Sequence, residues 1–200
     1  MKLRSILLLV ALAAAVQAGK PQWRYPVISC PLLQAAPVID GKVRNADWLA
    51  AAQYTTLLRQ TWRAGYALET RVVWYLGYTP EKLYMAFKVY RPEQAITPNA
   101  TTSGEGKNYL NEVYADDCVE LLLDVGGKGV NAFDLALNAR GDYSDYRIAP
   151  NDRYEWNLES LDYKARVTSF GWEGELALDF KTLGVAAPQA GKSWGIDFVV

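Results

Sequence analysis

From Cys118 to Asp124 every second residue is a large aliphatic one, so that Val119, Leu121 and Leu123 alternate with Cys118, Glu120, Leu122 and Asp124. In extended backbone successive side chains point to opposite faces, and this spacing gives one face fit for a core and one mixed face. The period returns at Leu83, Met85, Phe87 and Val89, and again at Phe133, Leu135 and Leu137. An amphipathic helix needs apolar residues three and four apart, so these segments are committed to sheet.

Further strands extend the pattern. Arg71–Leu76 and Leu83–Tyr90 flank Gly77–Lys82 and predict a hairpin. Tyr163–Ser169, Trp172–Phe180 and Trp194–Val200 predict three more strands, the second with Trp172, Leu176, Leu178 and Phe180 inward and Glu173, Glu175 and Asp179 opposite. Pro37–Asp40 predicts a strand that ends in a turn at Gly41. Asn45 can cap one or two helical turns that carry Trp48 into a core. Residues 19–36, with Pro21, Pro26 and Pro31, suit an extended segment running along a sheet. Residues 92–111 read as a long surface loop. Arg140–Leu161 is rich in aromatic and charged residues without clear periodicity, and both a recognition surface and a twisted hairpin fit it. Eight or nine short strands and one short helical turn region predict an all-β fold, an antiparallel β-sandwich of immunoglobulin-like or jelly-roll type.

Composition narrows the chemistry. The chain has no histidine, which removes His-based triads, His-zinc sites and the usual haem ligand. Its formal net charge is −1, and loss of a leader carrying Lys2 and Arg4 takes it to −3, so no basic surface for nucleic acid is indicated. Residues 1–18 combine that positive start with the apolar run Ile6–Val16 and small residues up to Ala18, the pattern of a cleaved secretory signal peptide. The run is shorter than the roughly 20 apolar residues of a spanning helix, so no membrane span is expected after cleavage. A periplasmic or secreted location follows. There Cys30 and Cys118 could close one disulfide, or remain two buried thiols.

Tyr114 stands just ahead of the acidic strand that carries Glu120. A flat ring beside a carboxylate on a sheet face meets the needs of a sugar, which stacks and donates hydroxyl hydrogen bonds. A solvated edge strand explains the same residues, and both readings stay open here. Arg153, Tyr154 and Trp156 are candidate rim residues.

Five pieces occur in the order and spacing of family 9 carbohydrate-binding modules: Pro37–Gly41 followed by Trp48, then Lys82–Tyr84, Asp117–Asp124, Gly171–Glu175 and Trp194–Asp197. The resemblance spans residues 37–200. It implies a β-sandwich that binds a polysaccharide or oligosaccharide between two aromatic planes, as a non-catalytic module linked to carbohydrate catabolism. Tyr114 matches the first stacking aromatic and Glu120 the sugar-contacting glutamate. Asp134 stands where the family has a basic residue. The second stacking aromatic belongs after the strand ending at Val200, so a module cut short at its C-terminus and joined to a further module is expected. Structural calcium occurs in the family, and Asp116, Asp117 and Asp124 are its candidate ligands. Two other functions compete. A glycoside hydrolase would pair Glu120 with Asp134 or Glu175 across roughly 5 or 6.5–9.5 Å. An adhesion module would turn its aromatic loops toward another protein.

Overall fold

A computed structural model describes residues 27–60, 68–91, 96, 113–114, 116–128, 131–149, 152–156, 158 and 161–200, with backbone only at 57–60, 68–69 and 152–155. The leader expected at residues 1–18 and, apart from Ile96, the loop expected at 92–111 lie outside the described residues.

Among the described residues ten strands form two antiparallel sheets. In the first, β1 (Ala52–Gln60), β2 (Leu68–Tyr78), β3 (Lys82–Tyr90), β9 (Gly171–Asp179) and β8 (Asp162–Thr168) lie side by side in that order. In the second the order is β10 (Gly195–Val199), β4 (Cys118–Asp124), β5 (Ala132–Asn138), β6 (Tyr143–Ala149) and β7 (Asp152–Glu155). The architecture is the expected β-sandwich. The β2–β3 hairpin is in place, with Trp74 opposite Phe87 and Leu76 opposite Met85. The segment without periodicity resolves into the short β6–β7 hairpin, in which Tyr146 faces Glu155.

The inward sets meet between the sheets. Val119, Leu121 and Leu123 of β4 and Leu135 and Leu137 of β5 bury against Met85, Phe87, Leu176 and Leu178. Aromatic rings line the space between the layers. Trp74 of β2 stacks on Phe198 of β10 at 3.7 Å between centroids, and the edge-to-face pair Phe87–Trp172 lies at 5.0 Å, each worth about 0.5–1.5 kcal/mol beyond area burial. Gly174 sits on this face because there is no room for more, a Cβ there falling 2.6 Å from the Phe87 ring and 3.1 Å from that of Tyr163.

The first sheet is covered on its outer face too, which is why β3 and β9 read as buried almost throughout. Leu33, Val43 and Trp48 pack there on Val73, Tyr75, Tyr84 and Ala177. The extended segment adds a parallel bridge from Leu32 to Tyr78, with Leu33 N–H on the Tyr78 carbonyl at 2.7 Å. Residues 37–40, expected as a strand, form no β-pairing among the described residues and instead bring a turn down onto Glu175. There the N–H groups of Asp40, Gly41 and Lys42 converge on one carboxylate oxygen at 2.9–3.2 Å, while the Trp48 indole N–H donates to the other at 2.9 Å. Gly41 permits the turn with φ +78°. The helical turns expected near Trp48 are i to i+3 turns, with Asp47 N–H on Arg44 and Ala51 N–H on Trp48. Strand β1 begins at Ala52, the last residue of the alanine run that follows Trp48.

Candidate functional site

The even positions of β4 face outward, as their half-buried state shows against the buried odd ones. Glu120 pairs with Ala136 of β5, Leu122 with Asp134, and Asp134 in turn with Tyr146 of β6. One outer surface of the second sheet therefore gathers Glu120, Leu122, Asp134, Ala136 and Tyr146. A turn closed by the Asp116 N–H on the Val113 carbonyl lies over this surface and sets Val113 against Ala136.

That turn carries Tyr114. Its hydroxyl donates toward Asp134, 3.0 and 3.1 Å from the two carboxylate oxygens, and lies 3.4 Å from Glu120 Oε1. Tyr114 and Glu120 are half-buried, whereas Asp134 has no exposed surface. The two residues singled out in the sequence thus open on one side of the molecule.

Two anchors fix the turn. Arg91, just after β3 of the first sheet, pairs through Nη1 with Asp117 Oδ1 and sets its Nε 3.3 Å from Thr70 Oγ1. Asn138 donates from Nδ2 to Asp116 Oδ2 at 3.0 Å and accepts the N–H groups of Arg140 and Asp142 on Oδ1. The Asn138 carbonyl accepts the Tyr163 hydroxyl of β8 at 2.5 Å. Burial holds that phenol well above its ordinary pKa, so it remains a donor.

The other candidates are placed differently. Trp156, expected at the rim, is half-buried and packs on the inward-facing Phe133 at 4.3 Å, against the inter-sheet core, because an aromatic of that size gains from burial. Arg153 and Tyr154 lie on β7 at the sheet edge, opposite Ile148 and Arg147, but their side chains lie outside the described residues. Tyr146, across from Asp134, is the outward aromatic that the sequence reading left unassigned, and the two-residue period of β6 would have found it.

Cys30 and Cys118, expected as a candidate disulfide, are free thiols here. Cys30 packs against the inter-sheet core and Cys118 against Val113 and Ala136 on the far side of the second sheet. Burial pushes their thiols up to about 11 and about 12. The aspartates considered for calcium do not converge. Asp116 is taken by Asn138, Asp117 by Arg91, and Asp124 lies at the other end of β4, bonded to the Gly126 N–H at 2.9 Å. Among the described residues no group of three or more carboxylate, thiol or imidazole side chains could hold a metal ion. Glu175 cannot flank a bond with Glu120. It is fully buried on the outer face of the opposite sheet, where it clamps residues 40–42 and Trp48.

No family model and no curated protein sequence matches the chain. Solved structures do. Family 9 carbohydrate-binding modules from Caldicellulosiruptor kristjanssonii in complex with glucose and with cellotriose superpose with TM-scores of 0.55 and 0.56, at 17% and 16% identity. Each alignment covers 84% of this chain, and 75% and 74% of the respective module. A protein from Bacteroides uniformis described as a candidate carbohydrate-binding protein superposes at 0.62, with 14% identity over 84% of this chain and 80% of its own. At such identities the likeness establishes the fold, which is that of the family 9 modules.

Proposed function

We propose that the chain is a non-catalytic carbohydrate-binding module of a secreted or periplasmic protein, taking a polysaccharide or oligosaccharide on the outer face of the second sheet. The placement of the Tyr114 hydroxyl over Asp134 and Glu120 carries this reading. A phenol tethered at its oxygen presents its ring at a fixed angle, so a stacked sugar loses less affinity to ordering the site. Glu120, half-buried beside the ring, accepts hydroxyl hydrogen bonds from a sugar seated there. Asp134 is a positioning group, since it holds the phenol and is itself shut off from solvent. The family 9 modules of the same fold, in complex with glucose and cellotriose, support a glycan as the ligand. In a longer protein such a module would keep an attached hydrolase against its glycan.

A glycan array with the wild-type chain, followed by an affinity gel of the retained glycan with Glu120→Gln, tests the proposal. Retention of at least one glycan and roughly tenfold weaker binding by the variant, equivalent to about 1.4 kcal/mol, is the expected result. An empty array, or a variant that binds like wild type, would remove the basis of the assignment.

A further inference from the structure

At the far end of β4 the chain turns through Val125–Lys128 before β5, and a hollow of about 210 Å³ opens between this turn, the start of β5 and Arg147 of β6. Asp124 is four positions along β4 from Glu120, about 14 Å at the antiparallel rise of about 3.4 Å per residue, so the hollow lies at the opposite end of β4 from Glu120. Among the described residues two cations and one carboxylate line it: Lys128, Arg147 and Asp124. The Arg147 guanidinium is held over the Phe133 ring, 5.2 Å from its centroid, and Trp156 packs 4.3 Å from that ring. The cation is therefore set in place by stacking while remaining exposed. Asp124 already accepts the Gly126 N–H at 2.9 Å, which aligns its carboxylate along the turn. Asn131 adds an amide, with both a donor and an acceptor.

We propose that this hollow is a second ligand site, separate from the Tyr114 face, for a small polyhydroxylated carboxylic acid such as a uronic acid. A guanidinium is suited to grip a carboxylate with two parallel hydrogen bonds, and the Lys128 ammonium adds a second positive charge. Asp124 and the Asn131 amide then meet hydroxyl groups, which both donate and accept. The volume far exceeds the roughly 30 Å³ share of one water, leaving room for a ring as well as its acid group.

The test is a titration of the isotopically labelled full chain with glucuronate, followed by amide NMR, with glucose and acetate as parallel arms. Saturable movement of the Gly126, Lys128 and Asn131 signals with glucuronate is expected, with no movement for glucose and at least tenfold weaker binding of acetate. Arg147→Gln and Lys128→Gln, both at exposed positions, should each weaken glucuronate fivefold or more while the remaining spectrum keeps the wild-type pattern. Tyr114→Ala should leave the glucuronate response unchanged, which separates this site from the proposed glycan face. No saturable response, an equal response to glucose or to acetate, unaltered binding by both charge variants, or loss of the response in Tyr114→Ala would overturn the proposal.

Discussion

Arg91 directly follows β3 of the first sheet and Asp117 directly precedes β4 of the second, and their ion pair ties the end of β3 to the turn that carries Tyr114. Both side chains are mostly buried, at 16% and 21% exposure, so the pair is screened less than a surface one and its loss leaves a carboxylate poorly solvated. Arg91→Gln is expected to cost about 1–3 kcal/mol of unfolding free energy. Urea unfolding followed by tryptophan fluorescence measures this, and an unchanged midpoint would show that the pair does not brace the turn.

Glu175 organises the outer cover of the first sheet. With three backbone N–H groups and the Trp48 indole on one carboxylate, Glu175→Ala strips four donors of their partner, the Gly41 N–H and the Trp48 indole in buried contacts. The expected loss is about 3–5 kcal/mol, whereas Trp48→Phe, which removes one donor and keeps much of the packing, should cost less, about 1–3 kcal/mol. Equal midpoints for the two variants in chemical denaturation would contradict the clamp.

Gly174→Ala tests the packing between the sheets. The new methyl group would fall 2.6 Å from the Phe87 ring, and displacing that ring disturbs its contact with Trp172. Overpacking of this kind costs about 1–3 kcal/mol. A lowered Tm by calorimetry, with altered near-ultraviolet circular dichroism, is the expected outcome; an unshifted Tm would mean that the ring yields freely.

The two thiols make stability fall in alkali. Their folded pKa values, about 11 for Cys30 and about 12 for Cys118, lie above the ordinary thiol value of 9.0, so the unfolded chain releases these protons first. The contribution is fully present below pH 9 and is lost as pH rises through 11 and 12. Tyr163, also raised, acts in the same direction above pH 10. Unfolding midpoints should drop across this window, and less steeply in Cys118→Ala than in wild type. Titration of the denatured, unreduced chain with a thiol reagent should find two free thiols; none would restore the disulfide.

Much of the sandwich was legible because it is written in single residues. The alternation in β4 fixed which of its side chains face out, and the Gly77–Lys82 turn placed β2 beside β3. Strand β1 was not legible. Its Ala52 continues an alanine run that favours helix locally, and only pairing with β2 makes it a strand. Tyr114 and Glu120 were found as a ring and a carboxylate on neighbouring segments. What escaped was long-range: the Arg91–Asp117 pair, the Asn138 anchor and the clamp on Glu175 depend on residues brought together by topology. Trp156 escaped for a related reason. An aromatic in a segment without periodicity has no face until the sheet supplies one.

In the proposed site the Tyr114 ring, held by its hydroxyl over Asp134, is a platform for a sugar. Calorimetric titration of a glycan retained on the array against wild type, Tyr114→Phe and Tyr114→Ala measures this most directly. The ring without its tether should bind roughly tenfold or less below wild type, and its complete removal should cost about 2 kcal/mol or more, beyond thirtyfold. An alanine variant that keeps wild-type affinity while remaining folded would contradict the account.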